Sequence, residues 1–175
     1  MRNRSFVLWL AAIAVVAIVV YASMQHSGSQ ISGPGALAGQ TAPSLPLKDP
    51  TGRDVTLDAY RGKVVVINLW ATWCPPCRAE LPDLQRLYDA YRSRGLVVLG
   101  VNQGESASRA TEFARSLGIG FPILLDPDQE YGRRFTALGL PTTVVIDRSG
   151  TIVRGYDGAL AYSQMTAAIA PLFAK

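Results

Sequence analysis

Histidine occurs once in the 175 residues of this chain and cysteine only twice. A self-contained structural zinc site takes about four Cys or His ligands, so ligand count excludes one here. The single histidine, His26, stands in a Gly/Ser-rich stretch away from the cysteines. A scaffold stapled by several disulfides is excluded as well, and none is needed. Apolar residues make up 49% of the chain, enough for an ordinary core in one domain of this length. Basic runs are also missing. Arg2 and Arg4 supply half of the formal charge of +4, which leaves 15 Lys/Arg against 13 Asp/Glu from residue 25 onward. Without a cationic run or aromatic–basic interleaving, nothing marks a nucleic-acid surface. No internal repeat is visible.

Residues 6–24 carry no charge at all. Nineteen uncharged, predominantly apolar residues are long enough to cross a hydrocarbon core as a helix. The arginines in front of them favour a cytoplasmic N-terminus and an exported remainder. The expected reading is a single uncleaved transmembrane helix. Its rival is a cleaved signal peptide with Val20-Tyr21-Ala22 as the processing site. Either one places the remainder outside the cytoplasm, where disulfides persist. Residues 25–40 are rich in Gly and Ser without a hydrophobic period and read as a flexible linker. The folded domain is expected over residues 41–175.

Two short strands around a Pro-Thr-Gly turn are expected within residues 44–57. Residues 63–70, "KVVVINLW", are a nearly unbroken run of strand formers and suit a central strand buried on both faces. A helix follows from about Pro75, with Cys77, Leu81, Leu84, Tyr88 and Tyr91 on one apolar stripe. Pro75 and Pro76 fit its first turn, while Pro82 lies deeper and should kink it. A strand at 96–101, a helix near 107–117, a short extended piece at "FPILLD" and helical residues 128–136 come next. The hairpin 142–147/151–156 and a helix over 161–173, with Met165, Ile169 and Leu172 inward, complete the chain. The order β-α-β-α, then β-β-α, implies parallel strands with a crossover helix plus an antiparallel pair.

Cys74 and Cys77 stand where the central strand gives way to the long helix. A shared metal site, a structural disulfide and a redox pair are the three readings. The first lacks ligands. The second closes so short a loop that little unfolded-state entropy is removed. The redox reading explains the placement. A helix N-terminus favours the thiolate, and free N–H groups of the first turn, Cys77's among them, can point at the Cys74 sulfur. Cys74 is then the exposed nucleophile, and Cys77, one turn on and facing the core, resolves the mixed disulfide.

The stretches "GKVVVINLWATWCPPCRAELP", "VLGVNQGES", "FPILLDPD" and "GLPTTVVIDRSGTIV" resemble the thioredoxin superfamily. More narrowly they are similar to the membrane-anchored extracytoplasmic thiol-disulfide oxidoreductases of the TlpA/ResA/CcmG type, over residues 41–175. The resemblance implies an α/β thioredoxin fold with an added N-terminal β-hairpin and an inserted strand and helix. It also implies a cis peptide at Pro141, opposite the cysteines, leaving the backbone around Leu140 free to pair with a substrate segment. Glu80 lies three residues after Cys77 on the same helical face. Spacing alone leaves it open between a solvated surface acid and a buried one. Many relatives carry a Glu there, which implies an acid/base role toward Cys77. Cytosolic thioredoxins carry a buried Asp six residues before the first Cys; here that position is Asn68.

Trp73, Pro75, Pro76, Leu140 and Pro141 are the expected substrate contacts, with Trp73 a partly exposed wall and Trp70 mostly packing. For residues 101–106 the resemblance offers a segment lining the site, but they read more simply as a strand end with a helix cap at Ser106, and Arg133-Arg134 as a solvated face. No cofactor or metal is expected beyond a redox-active disulfide. The expected function is reduction of disulfides in exported proteins, with apocytochrome c a candidate client and a membrane thiol-disulfide transporter as electron donor. The alternatives are a net oxidase or isomerase, a thiol peroxidase, and a copper-handling protein, the last disfavoured by ligand poverty. The expected location is the cytoplasmic membrane, with the domain on the periplasmic side.

Overall fold

The computed structural model describes residues 33–174. Seven strands form one sheet: β1 (Leu47–Lys48), β2 (Asp54–Val55), β3 (Val64–Trp70), β4 (Leu96–Gln103), β5 (Ile123–Asp126), β6 (Thr142–Ile146) and β7 (Ile152–Asp157). Their spatial order is β2-β1-β5-β4-β3-β6-β7. Four α-helices accompany them: α1 (Pro75–Tyr91), α2 (Ala107–Ser116), α3 (Glu130–Arg134) and α4 (Tyr162–Ile169). β3, β4 and β5 run parallel. β6 is antiparallel to β3, and β7 to β6. The hairpin β1/β2 joins the far side of β5 in antiparallel fashion. This is a thioredoxin-like α/β fold carrying the expected N-terminal hairpin.

β3 is buried along all seven residues, as its unbroken apolar run requires. Because strand side chains alternate, its residues serve two cores. Val64, Val66 and Trp70 pack with Leu81, Leu84 and Leu87 of α1, Ala110 and Ala114 of α2, and Met165 and Ile169 of α4. Val65, Ile67 and Leu69 pack on the opposite face with Leu99, Val101, Tyr131 and Phe135. A one-residue slip of β3 would exchange the two sets and drive Asn68 from one core to the other, so the register is strongly specified.

Three features bear on these expectations, and the first and third differ from them. Residues 33–40, read as flexible linker, are built onto the sheet: Pro34–Leu37 form a 3₁₀ turn with Pro34 buried. Gly39 donates its N–H to the Ile152 carbonyl, and Ile152 donates to that of Gln40. The composition misleads because the contact is made by backbone. A Cβ on Gly155 would lie 2.6 Å from the Gly35 nitrogen, so glycine is required there for the close approach. Second, α1 runs through Pro82 for 17 residues. Pro82 and Arg78 are both exposed, so water can satisfy the Arg78 carbonyl that Pro82 cannot reach. Third, the last helix ends at Ile169, and Pro171 sits in a following 3₁₀ turn, Ala170–Phe173. That tighter winding buries Phe173 and leaves Leu172 half-buried. The transmembrane helix expected over residues 6–24 lies outside the described residues. Among those described, no helix is long and apolar enough to cross a membrane.

Candidate active site

Cys74 is the N-cap of α1, and Pro75 and Pro76 fill the first turn, where a missing N–H costs no helical hydrogen bond. The two cysteines are joined in a disulfide with a Cα–Cα separation of 5.3 Å. The Cys77 N–H points at the Cys74 sulfur at 3.3 Å, the interaction expected from the helix start. A thiolate at Cys74 would keep that donor and the favourable end of the helix dipole. Cys74 is nevertheless not the open residue expected. In the disulfide it is 3% exposed, and Cys77 is fully enclosed. The Cys74 sulfur is bonded inward to Cys77, and the surface above is made by Trp73, which is 64% exposed, with Pro75 and Pro76 also exposed. Trp70 is wholly buried, stacked on Phe113 with ring centroids 5.9 Å apart, and serves as packing.

Glu80 is 2% exposed, one turn after Cys77 on the buried face of α1. Its carboxylate accepts from the Leu160 N–H at 2.8 Å and from Asn68 Nδ2 at 3.0 Å. Burial pushes its pKa up from 4.5 to about 7, with the charge of Asp83 adding to the rise and the Leu160 and Asn68 hydrogen bonds opposing it. An acid poised near neutrality one turn from Cys77 suits proton exchange with a thiol there. Asn68 also donates to Thr143 Oγ1 at 3.0 Å, while its own Oδ1 has no partner among the described residues. Asn68 thus links Glu80 to β6 through Thr143.

The Leu140–Pro141 peptide is cis, as the resemblance implied. Leu140 packs against the cluster that contains both cysteines, and its backbone makes no hydrogen bond among the described residues. The neighbouring backbone is held from below. Gly158 donates to the Pro141 carbonyl at 2.8 Å. Asp157 Oδ1 accepts from the Leu138 N–H at 3.1 Å and from Thr142 Oγ1 at 2.7 Å. A cleft of about 340 Å³ opens alongside, lined by Leu69, Gln103, Gln129, Arg133, Leu138 and Leu140. Leu138, 68% exposed, joins Trp73 as the second large apolar side chain left open among the described residues. Sequence reading missed Leu138 and Asp157; Leu138 is signalled only by its nearness to Pro141, and Asp157, on the neighbouring strand, by nothing local.

Residues 101–106 do form a strand end and a cap, with Ser106 Oγ accepting from the Arg109 N–H at 3.4 Å. That description omits Glu105, which reaches across to Thr72, two residues before Cys74. Arg133 and Arg134 are exposed as expected. Thus Cys74, Cys77, Glu80 and Leu140 converge on one core cluster and its margin, beneath a surface of Trp73, Pro75 and Pro76.

A helix-capping disulfide beside a cis-proline loop on this sheet defines a thioredoxin-like dithiol–disulfide exchange site. Comparison with known proteins agrees. The profile of the AhpC/TSA family matches residues 38–154. Thiol-disulfide oxidoreductase ResA of Geobacillus thermodenitrificans is 34% identical over 88% of this chain and 86% of its own length. ResA of Bacillus subtilis is 31% identical over 94% and 90%. A crystal structure described as a thiol:disulfide interchange protein DsbE from Chlorobium tepidum superposes with a TM-score of 0.73 at 28% identity, covering 78% of this chain and 98% of that one. The chain belongs to the AhpC/TSA family and, within it, to the ResA/DsbE-type thiol-disulfide oxidoreductases.

Proposed function

We propose that this oxidoreductase works as a reductant of disulfides in exported proteins, held at the outer face of the cytoplasmic membrane by residues 6–24. In the reduced protein the Cys74 thiolate attacks one sulfur of a client disulfide. A Cys74–client bond forms, and the other client sulfur leaves as a thiolate. Cys77 passes its proton to ionised Glu80 and attacks the Cys74 sulfur. The client departs with both sulfurs reduced, two electrons have moved, and Cys74–Cys77 is again a disulfide. Leu140 offers its unpaired backbone to the client segment, and Trp73, Pro75 and Pro76 flank it. A membrane thiol-disulfide transporter returns the two electrons, and apocytochrome c, whose paired cysteines are reduced before haem attachment, is the candidate client.

The observation that supports the exchange step is the buried Glu80, one turn after Cys77, whose pKa burial raises to about 7. It can accept the Cys77 proton in the reducing direction and return it in the reverse one, so the net direction rests on the reduction potential. The test is the reduction potential together with insulin or apocytochrome-peptide reduction. A potential at or below about −200 mV, with turnover lost in Cys74→Ser, supports the reductant. A potential near about −120 mV makes the protein a net oxidase instead, and undiminished turnover in Cys74→Ser refutes the mechanism.

A further inference from the structure

Glu105 is a nearly buried acid that the exchange chemistry above does not use. Its side chain is 7% exposed, in the connection between β4 and α2. Oε2 accepts from the Thr72 backbone N–H at 2.7 Å and from Asn102 Nδ2 at 2.8 Å. Oε1 accepts from Thr72 Oγ1 at 2.6 Å and pairs with Arg109 Nε at 3.0 Å. Arg109 Nε also donates to Thr72 Oγ1 at 3.0 Å. Thr72 lies in the short connection from β3 to α1. That connection is also tied by the Cys74 N–H, which donates to the Ala71 carbonyl at 3.2 Å. One carboxylate therefore grips the nucleophile's connection from 33 residues away, through both backbone and side chain.

Two further observations indicate that the grip is specific. Asn102 is fully buried opposite Trp70 in the sheet. Its donor end is given to Glu105, while its Oδ1 has no partner among the described residues. A buried amide left half-satisfied calls for a reason beyond packing. Burial alone would raise the Glu105 pKa, yet the hydrogen bonds of Thr72 and Asn102 and the charge of Arg109 bring it below the ordinary value. The carboxylate is therefore ionised at neutral pH, when its acceptor capacity is complete.

We propose that Glu105 is a positioning residue: by clamping Thr72 it fixes the β3–α1 connection, so that the Cys74 sulfur is presented at the helix start in the orientation required for attack. This rests on the reading that exchange proceeds through Cys74.

The test uses the full chain in a Cys77→Ser background, where only Cys74 reacts. The Cys74 thiolate attacks the aromatic disulfide DTNB; one S–S bond forms, one breaks, and a coloured thiolate leaves. Rates across pH yield the pH-independent rate constant and the thiol midpoint. Glu105→Ala is expected to lower the rate constant on the order of tenfold and to move the midpoint, as loss of charge-assisted hydrogen bonds would. Glu105→Gln is expected to recover to within about threefold. Its oxygen can take both N–H groups, and its amide can donate to Thr72 Oγ1 once that hydroxyl turns round. Thr72→Val, which removes only the hydroxyl bonds, should fall between the two and stands in if Glu105→Ala does not fold. Asp147→Ala is the control. It removes a turn carboxylate bonded to the Ser149 and Thr151 N–H groups at 2.9 and 3.0 Å, so it should lower the urea midpoint and leave both kinetic quantities alone. Wild-type kinetics in folded Glu105→Ala or Thr72→Val overturn the proposal, as does a rate loss that Asp147→Ala shares. A parent protein inert to DTNB would instead sink the exchange reading itself.

Discussion

Replacing Glu80 by Gln should change how stability depends on pH, and the size of the change follows from burial. In the unfolded chain Glu80 titrates near 4.5; in the fold, desolvation pushes it to about 7. The folded state therefore holds a proton that the unfolded state has released. Stability is fully present below 4.5 and declines as pH rises toward 7, because the unfolded chain binds fewer protons than the native one. At about 1.4 kcal/mol per pH unit, the total loss is about 3 kcal/mol. Asp58, Glu105 and Asp147 work in the opposite sense, since their carboxylates are held below their ordinary values. Their contribution is lost only in more acidic solution, so the wild type should be most stable near pH 5. Glu80→Gln keeps an oxygen for the Leu160 N–H, and Asn68 can rotate its unpartnered Oδ1 to accept from the new amide. The variant should hold its stability from pH 5 to 8 and overtake the wild type at the alkaline end. Urea unfolding of the oxidised protein at half-unit pH intervals measures both curves. Parallel curves within about 0.5 kcal/mol over that range would show that Glu80 ionises in the fold as it does in water, and the acid/base role would fall.

Two further outcomes are expected. Gly155→Ala places a methyl group against the Pro34 carbonyl and the Gly35 nitrogen. It should cost about 1–3 kcal/mol in urea unfolding and open residues 33–40 to limited proteolysis; an unchanged digestion pattern would show that this segment is not seated on β7. Asp157→Ala leaves the Leu138 N–H without its acceptor, while Thr142 Oγ1 keeps the Gly139 carbonyl at 2.7 Å. It should cost about 1–2 kcal/mol and raise KM for a peptide disulfide more than it lowers kcat, since it loosens the Leu140 platform and leaves the sulfurs alone. A kcat loss with unchanged KM would contradict that division.

The parts of the fold that could be read from sequence are those where neighbours in the chain decide the outcome. Residues 64–70 suit a doubly buried strand, and the step from Trp70 to Cys74-Pro75-Pro76 marks a strand-to-helix turn whose first N–H, that of Cys77, faces a sulfur. Glu80 was legible as a position, by its spacing from Cys77. Its burial was not, because the groups around it are distant in the chain: Asn68 on β3 and the Leu160 backbone bond its carboxylate, and Thr143 on β6 bonds Asn68. The cis bond at Pro141 rested on family resemblance, since an X-Pro pair alone says little about isomer. Glu105 was hidden for a plainer reason: its partner Thr72 is 33 residues away, and the local pattern at Ser106 already accounted for a helix cap. The same holds for residues 33–40, whose composition signals flexibility while their backbone pairs with β7.

The account turns on Cys74 being the attacking sulfur, and competitive alkylation addresses it directly. The reduced protein is treated with limiting iodoacetamide at neutral pH, and the modified residue is located by peptide mass spectrometry. The account predicts carboxamidomethylation at Cys74 in at least about tenfold excess over Cys77, as expected for a thiolate at a helix start beside a fully enclosed partner. Equal labelling of the two, or labelling of Cys77 first, contradicts it.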